Sequence, residues 1–330
     1  MTTPLKRHRI AVALAIGITS FVITVICLRR GHSDYEFWWK ATKLWLSGVD
    51  PYQLAADDPA WNLGDRLFYP LPAMMLTIPV VWLPVVWAGS VTLGIAGGVL
   101  AYLLSRDGWG RLWIFATPSY FMALNLGQWS PLLTIAALLN VAGVYCAAKP
   151  TLGAAILAYQ LSWKQIAAAA FITIASVAIM PSWPQAWLYN LQFVIKHPAP
   201  IMTLGGCWMV LAALRWRRPE GRLLFAYACV PQLLFFADQL PLYLATRERK
   251  ESGYVAFAAL IAYLIWYSRL HTGVNYVDKA APYVLSSVYL PLLILVLRRP
   301  NEGPVPAWLE KLTARFPMWL RGAPGAGVAN

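Results

Sequence analysis

The sequence predicts an all-α, polytopic integral membrane protein of about 10 to 12 transmembrane helices. Of its 330 residues, 59% are hydrophobic and only 12% are charged. Apolar segments recur along the chain, and in lipid only helices and closed barrels satisfy every backbone hydrogen bond. The formal net charge of +13 comes from short basic clusters between these segments. Short basic clusters of this kind are typical of cytoplasmic loops. A nucleic-acid-binding surface would instead have its basic residues in one stripe or patch.

The first predicted span, residues 10–28, directly follows a basic cluster at residues 6–9 and has no small-residue cleavage site after it. We therefore interpret it as a retained helix whose N-terminus is cytoplasmic. Ten further apolar segments are predicted as spans: residues 70–87, 88–104, 112–127, 130–147, 151–162, 165–181, 201–214, 222–245, 253–268 and 282–297. Together they make a transmembrane domain over residues 1–300, followed by a cytoplasmic tail over residues 301–330.

Counting crossings from a cytoplasmic N-terminus places four loops outside: residues 29–69, 105–111, 148–150, which include Lys149, and 182–200. A single crossing over residues 222–245 would also place the basic residues 247–250 outside, against the charge rule. A broken or re-entrant passage around Pro231, Asp238 and Pro241 removes this conflict. We predict such a passage.

A helix is predicted at the start of the first outer loop. Ser33 and Glu36 have the spacing of a capping box, so the helix begins at Asp34 and ends before Gly48. Its apolar residues, Trp38 among them, fall opposite its charged residues, which is typical of a helix lying in the membrane interface. Asp34 then lies at the water boundary, and its simplest role is to stabilise the first helical turn.

Five short motifs occur in order along the first half of the chain. They are Gly31-x-x-Asp34-Tyr35, Gly48-x-Asp50-Pro51-Tyr52, Phe68-Tyr69-Pro70-Leu71-Pro72, Gly127-Gln128 and Lys149-Pro150. Together they resemble glycosyltransferase family 87, whose members are multi-spanning enzymes of the GT-C type related to polyprenyl-phosphate-mannose-dependent mannosyltransferases. The resemblance covers roughly residues 1–200, and the C-terminal third offers no matching motif.

The resemblance implies a GT-C-like fold and transfer of a mannose-like sugar from a polyprenyl-phosphate donor to a lipid or glycan acceptor. The reaction would occur on the extracytoplasmic side of the plasma (inner) membrane, among membrane lipids, without a metal, cofactor or nucleic acid. The catalytic acid of the first outer loop falls on Asp34. As a general base it would take the proton of the acceptor hydroxyl, a role that typically contributes about 10²- to 10⁴-fold.

Cations near Asp34 would stabilise the departing phosphate. Lys149 is the first candidate because it interrupts apolar sequence at a membrane boundary, where a lysine is costly. Lys196, His197 and His271 are further candidates. The alternatives are a snorkelling lysine at a helix end and structural histidines.

The same motifs place Tyr35, Tyr52, Tyr69 and Gln128 as candidate substrate-binding residues. Gln128 could equally join two helices by hydrogen bonding. The span count puts Gln128 on the inner side, so either that count or the binding role is wrong.

Two other functions stay open. A transporter or flippase for a lipid-linked or small solute would use Lys149 and Asp238 in broken helices. A non-catalytic family member would tolerate substitution of Asp34 and Lys149. Internal pseudo-symmetry would favour transport, and none is visible, since the loop over residues 29–69 has no counterpart later in the chain.

Overall fold

The protein is all-helical in the computed structural model, which describes residues 3–31, 33–269 and 278–323. No strand occurs in these ranges, so the predicted all-α class is confirmed. The α-helices are α1 (Thr3–Leu28), α2 (Asp34–Leu46), α3 (Leu71–Thr77), α4 (Val85–Leu104), α5 (Pro118–Leu126), α6 (Ser130–Leu138), α7 (Val144–Ala148), α8 (Pro150–Gln160), α9 (Trp163–Ile179), α10 (Trp183–Asn190), α11 (Pro219–Cys229), α12 (Arg249–Arg269), α13 (Ala281–Val284), α14 (Leu290–Leu297), α15 (Ala307–Thr313) and α16 (Met318–Arg321). Tighter 3₁₀ helices cover Ile78–Val80, Ser105–Asp107, Trp109–Ala116, Asn140–Gly143, Leu191–Phe193, Pro200–Met202, Cys207–Arg215, Phe236–Asp238, Leu240–Ala245 and Asp278–Ala280, and a π-helical turn, Leu285–Tyr289, joins α13 to α14.

Two of the described helices are long and apolar enough to cross a membrane, Lys6–Leu28 and Val85–Asp107. A third crossing results if Trp163–Ile179 and Trp183–Phe193, which meet at 103°, count as one bent span. Predicted span 253–268 lies within the 21-residue α12, and most of predicted span 165–181 is the 17-residue α9. Most of the remaining predicted spans are not single long α-helices. They are shortened by helix breaks, as in predicted span 130–147, which consists of α6, a 3₁₀ turn and α7.

Helices α1 and α4 pack antiparallel with their backbones close together. A Cβ atom on Gly17 would lie 3.0 Å from the carbonyl oxygen of Gly94, so glycine permits this contact. Near the start of α1, the Arg9 guanidinium donates to the Tyr102 carbonyl (2.9 Å) and to Ser105 Oγ (3.1 Å). The first residues of α1 therefore meet the last residues of α4.

This contact corrects the predicted path of the chain. Residues 105–111 were predicted to lie outside with residues 29–69, but they lie beside Arg9, at the opposite end of α1. The count was wrong because predicted span 70–87 holds only the seven-residue α3 and a 3₁₀ turn before α4 begins. Residues 70–87 therefore do not form a separate helix long enough to cross a membrane.

The end of the molecule that holds Arg9 is called the basic end. Gly110 contacts the backbone of Arg249 there. Glu220, in the first turn of α11, forms ion pairs with Arg247 and with Arg299. Because Glu220 and Arg247 lie at the two ends of residues 219–247, this segment leaves the basic end and returns to it. The segment is broken into α11 and two 3₁₀ helices, as predicted, and its passage through a membrane stays a prediction.

The opposite end, called the Asp34 end, is built from two of the loops that were predicted to lie outside, residues 29–69 and 182–200. Asn190 Nδ2 donates to the carbonyls of Tyr52 (3.1 Å) and Leu67 (3.2 Å), which ties α10 to residues 50–69. Trp187 Nε1 donates to the Phe68 carbonyl (2.8 Å). The aromatic residues of α10 therefore contact the first loop.

Helix α2 begins at Asp34 as predicted, but two details of the prediction are wrong. Ser33 makes no side-chain capping bond, and its carbonyl instead accepts from the Glu36 amide (3.0 Å). Trp38 and Ala41 are fully buried against α3 and residues 50–69. The apolar face of α2 is thus covered by protein and does not lie open to the membrane interface.

The C-terminal segment packs onto the basic end through residue 323. Arg217 is buried, pairs with Glu310 (2.7 Å) and donates to the Arg321 carbonyl (2.5 Å). Trp216 Nε1 donates to the Leu320 carbonyl (2.8 Å). The tail predicted as an appendage is thus a docked segment, and its last residues, 324–330, lie outside the described part of the chain.

Candidate functional site

Four polar side chains meet at the Asp34 end, although they are far apart in sequence. Each lies at a helix boundary: Asp34 opens α2, Gln128 lies between α5 and α6, Lys149 separates α7 from α8, and Asp238 ends a 3₁₀ turn. The chain changes direction at such boundaries. A polar residue there does not have to lie on the apolar face by which one helix packs against another. These four residues are called the polar cluster.

Gly127 brings Gln128 to Asp34. It ends α5 in the left-handed conformation, with φ of +71°, which glycine adopts without steric cost. A Cβ atom at this position would lie 2.6 Å from Tyr35 Cβ. The close approach of α5 to α2 therefore depends on the missing side chain.

Lys149 is positioned by the proline that follows it. Proline disfavours the helical conformation of the preceding residue, and Lys149 is accordingly non-helical, with φ of −136° and ψ of 76°. Helix α7 ends there, and Pro150 opens α8 at a position where its missing N–H costs nothing. The Lys149 side chain is thus presented from a break between two short helices.

Hydrogen bonds join the cluster into one chain. Gln128 Nε2 donates to Asp34 Oδ2. Lys149 Nζ donates to Gln128 Oε1 (3.2 Å) and to both carboxylate oxygens of Asp238 (2.7 and 2.8 Å). These three acceptors match the three N–H groups of an ammonium, so Lys149 has no donor left for a ligand in this arrangement.

The environment of Asp34 suits a base. Burial raises the pKa of Asp34 from 3.8 to about 6; the positive charge of Lys149 opposes this, and the carboxylate of Asp238 reinforces it. The hydrogen bond from Gln128 also favours the charged form. A carboxylate of this kind is ionised at neutral pH and has a pKa near the pH at which it would work.

Of the three candidate tyrosines, Tyr69 is the one whose hydroxyl is affected by the charges of the polar cluster. Burial raises the pKa of its hydroxyl well above 10, and the nearby carboxylates of Asp34 and Asp238 raise it further. Tyr35 donates or accepts a hydrogen bond with Thr92 (3.0 Å), and the Tyr52 hydroxyl donates to the Tyr69 carbonyl (3.0 Å). Tyr35 and Tyr52 are buried, and these hydrogen bonds fix their positions beside the cluster.

The other predicted cations are not part of the cluster. Lys196 is exposed and His197 half-buried in the loop after α10, and neither forms a hydrogen bond or ion pair with a described residue. His271 lies outside the described residues. Only Lys149, among the predicted phosphate ligands that the structure describes, contacts the polar cluster.

The sequence interpretation missed the partnership of Lys149 and Asp238. In the sequence, Asp238 was noted as part of the predicted broken passage, and its role as the counter-ion of Lys149 was not proposed. A signal was available, because an acid and a base that each interrupt apolar sequence are best accommodated as a pair. The contact of Gln128 with Asp34 also resolves the earlier conflict: the span count was wrong, and Gln128 lies at the Asp34 end.

A cavity of about 50 Å³ adjoins the cluster and is lined by Gln128, Tyr35, Thr92, Tyr145 and Trp129, among others. It has room for a water molecule or two and none for a sugar ring. The Trp129 indole N–H is buried and has no acceptor among the described residues. This unsatisfied donor, which sequence reasoning also missed, is available to an oxygen atom in the cavity.

Among the residues the structure describes, no three potential metal ligands come together. Comparison of the chain with protein-family models, with curated proteins and with solved structures gives no match in any of the three. Conclusions about function therefore depend on the chemistry of the polar cluster.

Proposed function

We propose that the protein is a polyprenyl-phosphate-sugar-dependent hexosyltransferase of the cell envelope. It moves a mannose-like sugar from the lipid donor to a lipid or glycan acceptor at the Asp34 end, outside the cytoplasm. One observation carries the proposal: Asp34 and Lys149, the predicted base and phosphate ligand, are joined through Gln128 in one cluster. An acid able to accept a proton and a cation able to hold a phosphate are the two groups this reaction requires.

The proposal includes an integral membrane setting with a GT-C-like arrangement. The basic end lies in the cytoplasm, because lysine and arginine concentrate in cytoplasmic loops. In this setting α1 and α4, which are long and apolar enough, cross the bilayer, and the bent pair of α9 and α10 makes a third crossing. Any further crossings would be made by broken helices. Broken helices are tolerated at membrane depth where they are buried in protein or line a cavity.

The reaction follows from the positions of the two groups. The acceptor hydroxyl gives its proton to Asp34 as its oxygen attacks the anomeric carbon. The bond from that carbon to the phosphate oxygen breaks, and its electron pair leaves with the polyprenyl phosphate. Lys149 stabilises the resulting negative charge, and a single displacement inverts the anomeric configuration. Once the site has opened beyond the cavity of about 50 Å³, the donor sugar would lie against Gln128, Tyr69 and the Trp129 indole N–H.

The closed form of the site requires one rearrangement before the donor binds. All three donors of Lys149 are occupied, two of them by Asp238. The donor phosphate therefore replaces the Asp238 carboxylate on Lys149. Asp238 belongs to a segment of 3₁₀ turns and irregular chain, which can move with fewer broken helical hydrogen bonds than a regular helix.

The test is transfer of radiolabelled sugar from a panel of polyprenyl-phosphate sugars by the full chain in proteoliposomes. Asp34→Asn should lower transfer by about 10²-fold or more, because the amide cannot accept the proton. Asp57→Asn is the matched control: the residue lies in the same loop, is exposed and has no described partner. Equal transfer by wild type and Asp34→Asn would remove Asp34 from the chemistry.

Lys149→Met tests the phosphate ligand in the same assay, with Lys196→Met as its control. Methionine keeps the length of the side chain without its charge, and we expect a loss of about 10²-fold. The exposed Lys196 should be replaceable without effect. A larger loss of transfer in Lys196→Met than in Lys149→Met would assign the phosphate to the loop over residues 182–200 instead.

The Lys149–Asp238 pair also supports a second candidate function. A buried pair in a broken passage is typical of transporters, where it marks the path of a substrate or proton. A transporter or flippase would move a fluorescent lipid-linked sugar across the proteoliposome membrane without forming product. A non-catalytic family member would show neither activity, and both lysine and aspartate substitutions would be silent.

A further inference from the structure

A groove of about 600 Å³ opens at the basic end, far from the polar cluster. One wall is the 3₁₀ helix Trp109–Ala116, which contributes Trp113 and Ala116. The other wall is α12, which contributes Tyr254, Phe257 and Leu260. Tyr254 is 73% exposed and Phe257 63% exposed, so the apolar wall has no cover from the described protein.

Arg249 and Lys250 line the charged end of this groove. Both are exposed, and neither forms an ion pair with a described carboxylate. The acids that belong to this end and could neutralise them are already paired, as Glu220 with Arg247, Glu251 with Arg299 and Asp107 with Arg111. Glu248 is exposed and does not line the groove. The groove thus holds two positive charges, and no described carboxylate lines it.

We propose that this groove binds one anionic phospholipid. Its phosphate lies between Arg249 and Lys250, and an acyl chain runs along Phe257 and Leu260. From Arg249 to Leu260 the helix advances about 16 Å, which is close to half the thickness of a bilayer core. A charged group at one end and an apolar wall of this length match the shape of a single membrane lipid.

The arrangement favours a lipid over a soluble phosphate. A soluble anion would leave Tyr254, Phe257 and Leu260 uncovered, whereas an acyl chain covers them. Basic pockets on the cytoplasmic side of membrane proteins recognise anionic head groups in the same way. Trp113, whose indole lies beside Gly253, stands next to the two cations at the level where aromatic residues meet head groups. This site is independent of sugar transfer.

The test uses the full chain in detergent and native mass spectrometry with equal amounts of phosphatidylglycerol and phosphatidylcholine. We expect about a 30-fold preference for retained phosphatidylglycerol, roughly fivefold for each cation. Arg249→Gln/Lys250→Gln should reduce the preference to near one. Lys6→Gln/Arg7→Gln, which removes two exposed charges from the basic cluster before α1, should leave it unchanged.

Two further measurements separate the groove from surface charge. Ala116→Trp fills the apolar part and keeps both cations, so it should also lower retention of phosphatidylglycerol by about tenfold. Inorganic phosphate at millimolar concentration should not displace the lipid. Full retention in Ala116→Trp, equal loss in the Lys6/Arg7 variant, or displacement by phosphate alone would each overturn the proposal.

Discussion

Asp34 is held in a position that costs stability. Burial raises its pKa to about 6, so the folded protein binds a proton at this carboxyl more tightly than the unfolded chain does. For such a group the stability is fully present below the unfolded pKa of 3.8 and is lost as the pH rises through about 6. The charged form of Asp34, which the proposed transfer needs, is thus the less stable form for the fold.

Asp34→Asn should therefore stabilise the protein at neutral pH while it abolishes transfer. The expected gain is about 1 to 2 kcal/mol above pH 7, discounted because Asp34 is only half-buried, and it should vanish near pH 4. The measurement is thermal unfolding in detergent from pH 4 to pH 8, with Asp57→Asn as the control that changes nothing. A constant difference at every pH would show that the effect comes from packing and not from ionisation.

Asp238→Asn should free Lys149 for an anionic ligand. The asparagine keeps the shape of the side chain but removes the negative charge that now occupies the ammonium. We expect binding of polyprenyl phosphate to tighten by about tenfold, while the ligand-free protein loses about 1 to 3 kcal/mol of stability. Lys149→Met should abolish the gain in the double variant. Unchanged affinity in Asp238→Asn would mean that Asp238 does not compete with the phosphate.

At the level of elements, the four residues of the polar cluster lie at breaks between helices. The sequence predicts such a break only where the signal for it is local. The start of α2 at Asp34 was predicted from local sequence, although the Ser33 capping bond does not form. The break at Lys149 was implied by the gap between predicted spans 130–147 and 151–162. The burial of the apolar face of α2 was not predictable, because amphipathic helices on protein and on membrane have the same pattern. The Lys149–Asp238 pair spans 89 positions and depends on how residues 219–247 fold back.

Gly127→Ala should disrupt the approach of α5 to α2. The alanine costs about 1 kcal/mol for its left-handed backbone, and its contact with Tyr35 adds about 1 to 3 kcal/mol of overpacking. Gly64→Ala is the matched control, since Gly64 has φ of +79° and nothing within 4 Å. Thermal unfolding and the transfer assay together measure the difference. Equal effects of the two substitutions would show that the contact with Tyr35 is unimportant.

At the level of the whole molecule, the two ends differ in charge and in chemistry. The basic end holds clusters that the sequence showed clearly, and the charge rule correctly required residues 247–250 to return to the side of residues 215–218. The number of helices long enough to cross a membrane was not predictable by hydropathy alone, because short helices such as α3 and α8 also lie in apolar segments. Their length, and not their composition, distinguishes them.

Cysteine labelling measures this arrangement directly. In a chain with the exposed Cys207 and Cys229 replaced by serine, Asp57→Cys should react with a membrane-impermeant maleimide from outside the cell. Asp107→Cys should react only after the membrane is opened, because residue 107 follows α4 at the basic end. Labelling of both from outside would restore the original span count.

The separation of the polar cluster along the chain also sets the order in which the site can form during synthesis. Asp34 emerges first, Gln128 follows 94 positions later, and Asp238 comes 89 positions after Lys149. Until the ribosome has made residues 219–247, Lys149 lacks the carboxylate of Asp238, and the ion pair that fixes its side chain cannot form. The polar cluster is therefore complete only after most of the chain has been made. A nascent chain that stops before residue 238 carries Lys149 without its carboxylate partner.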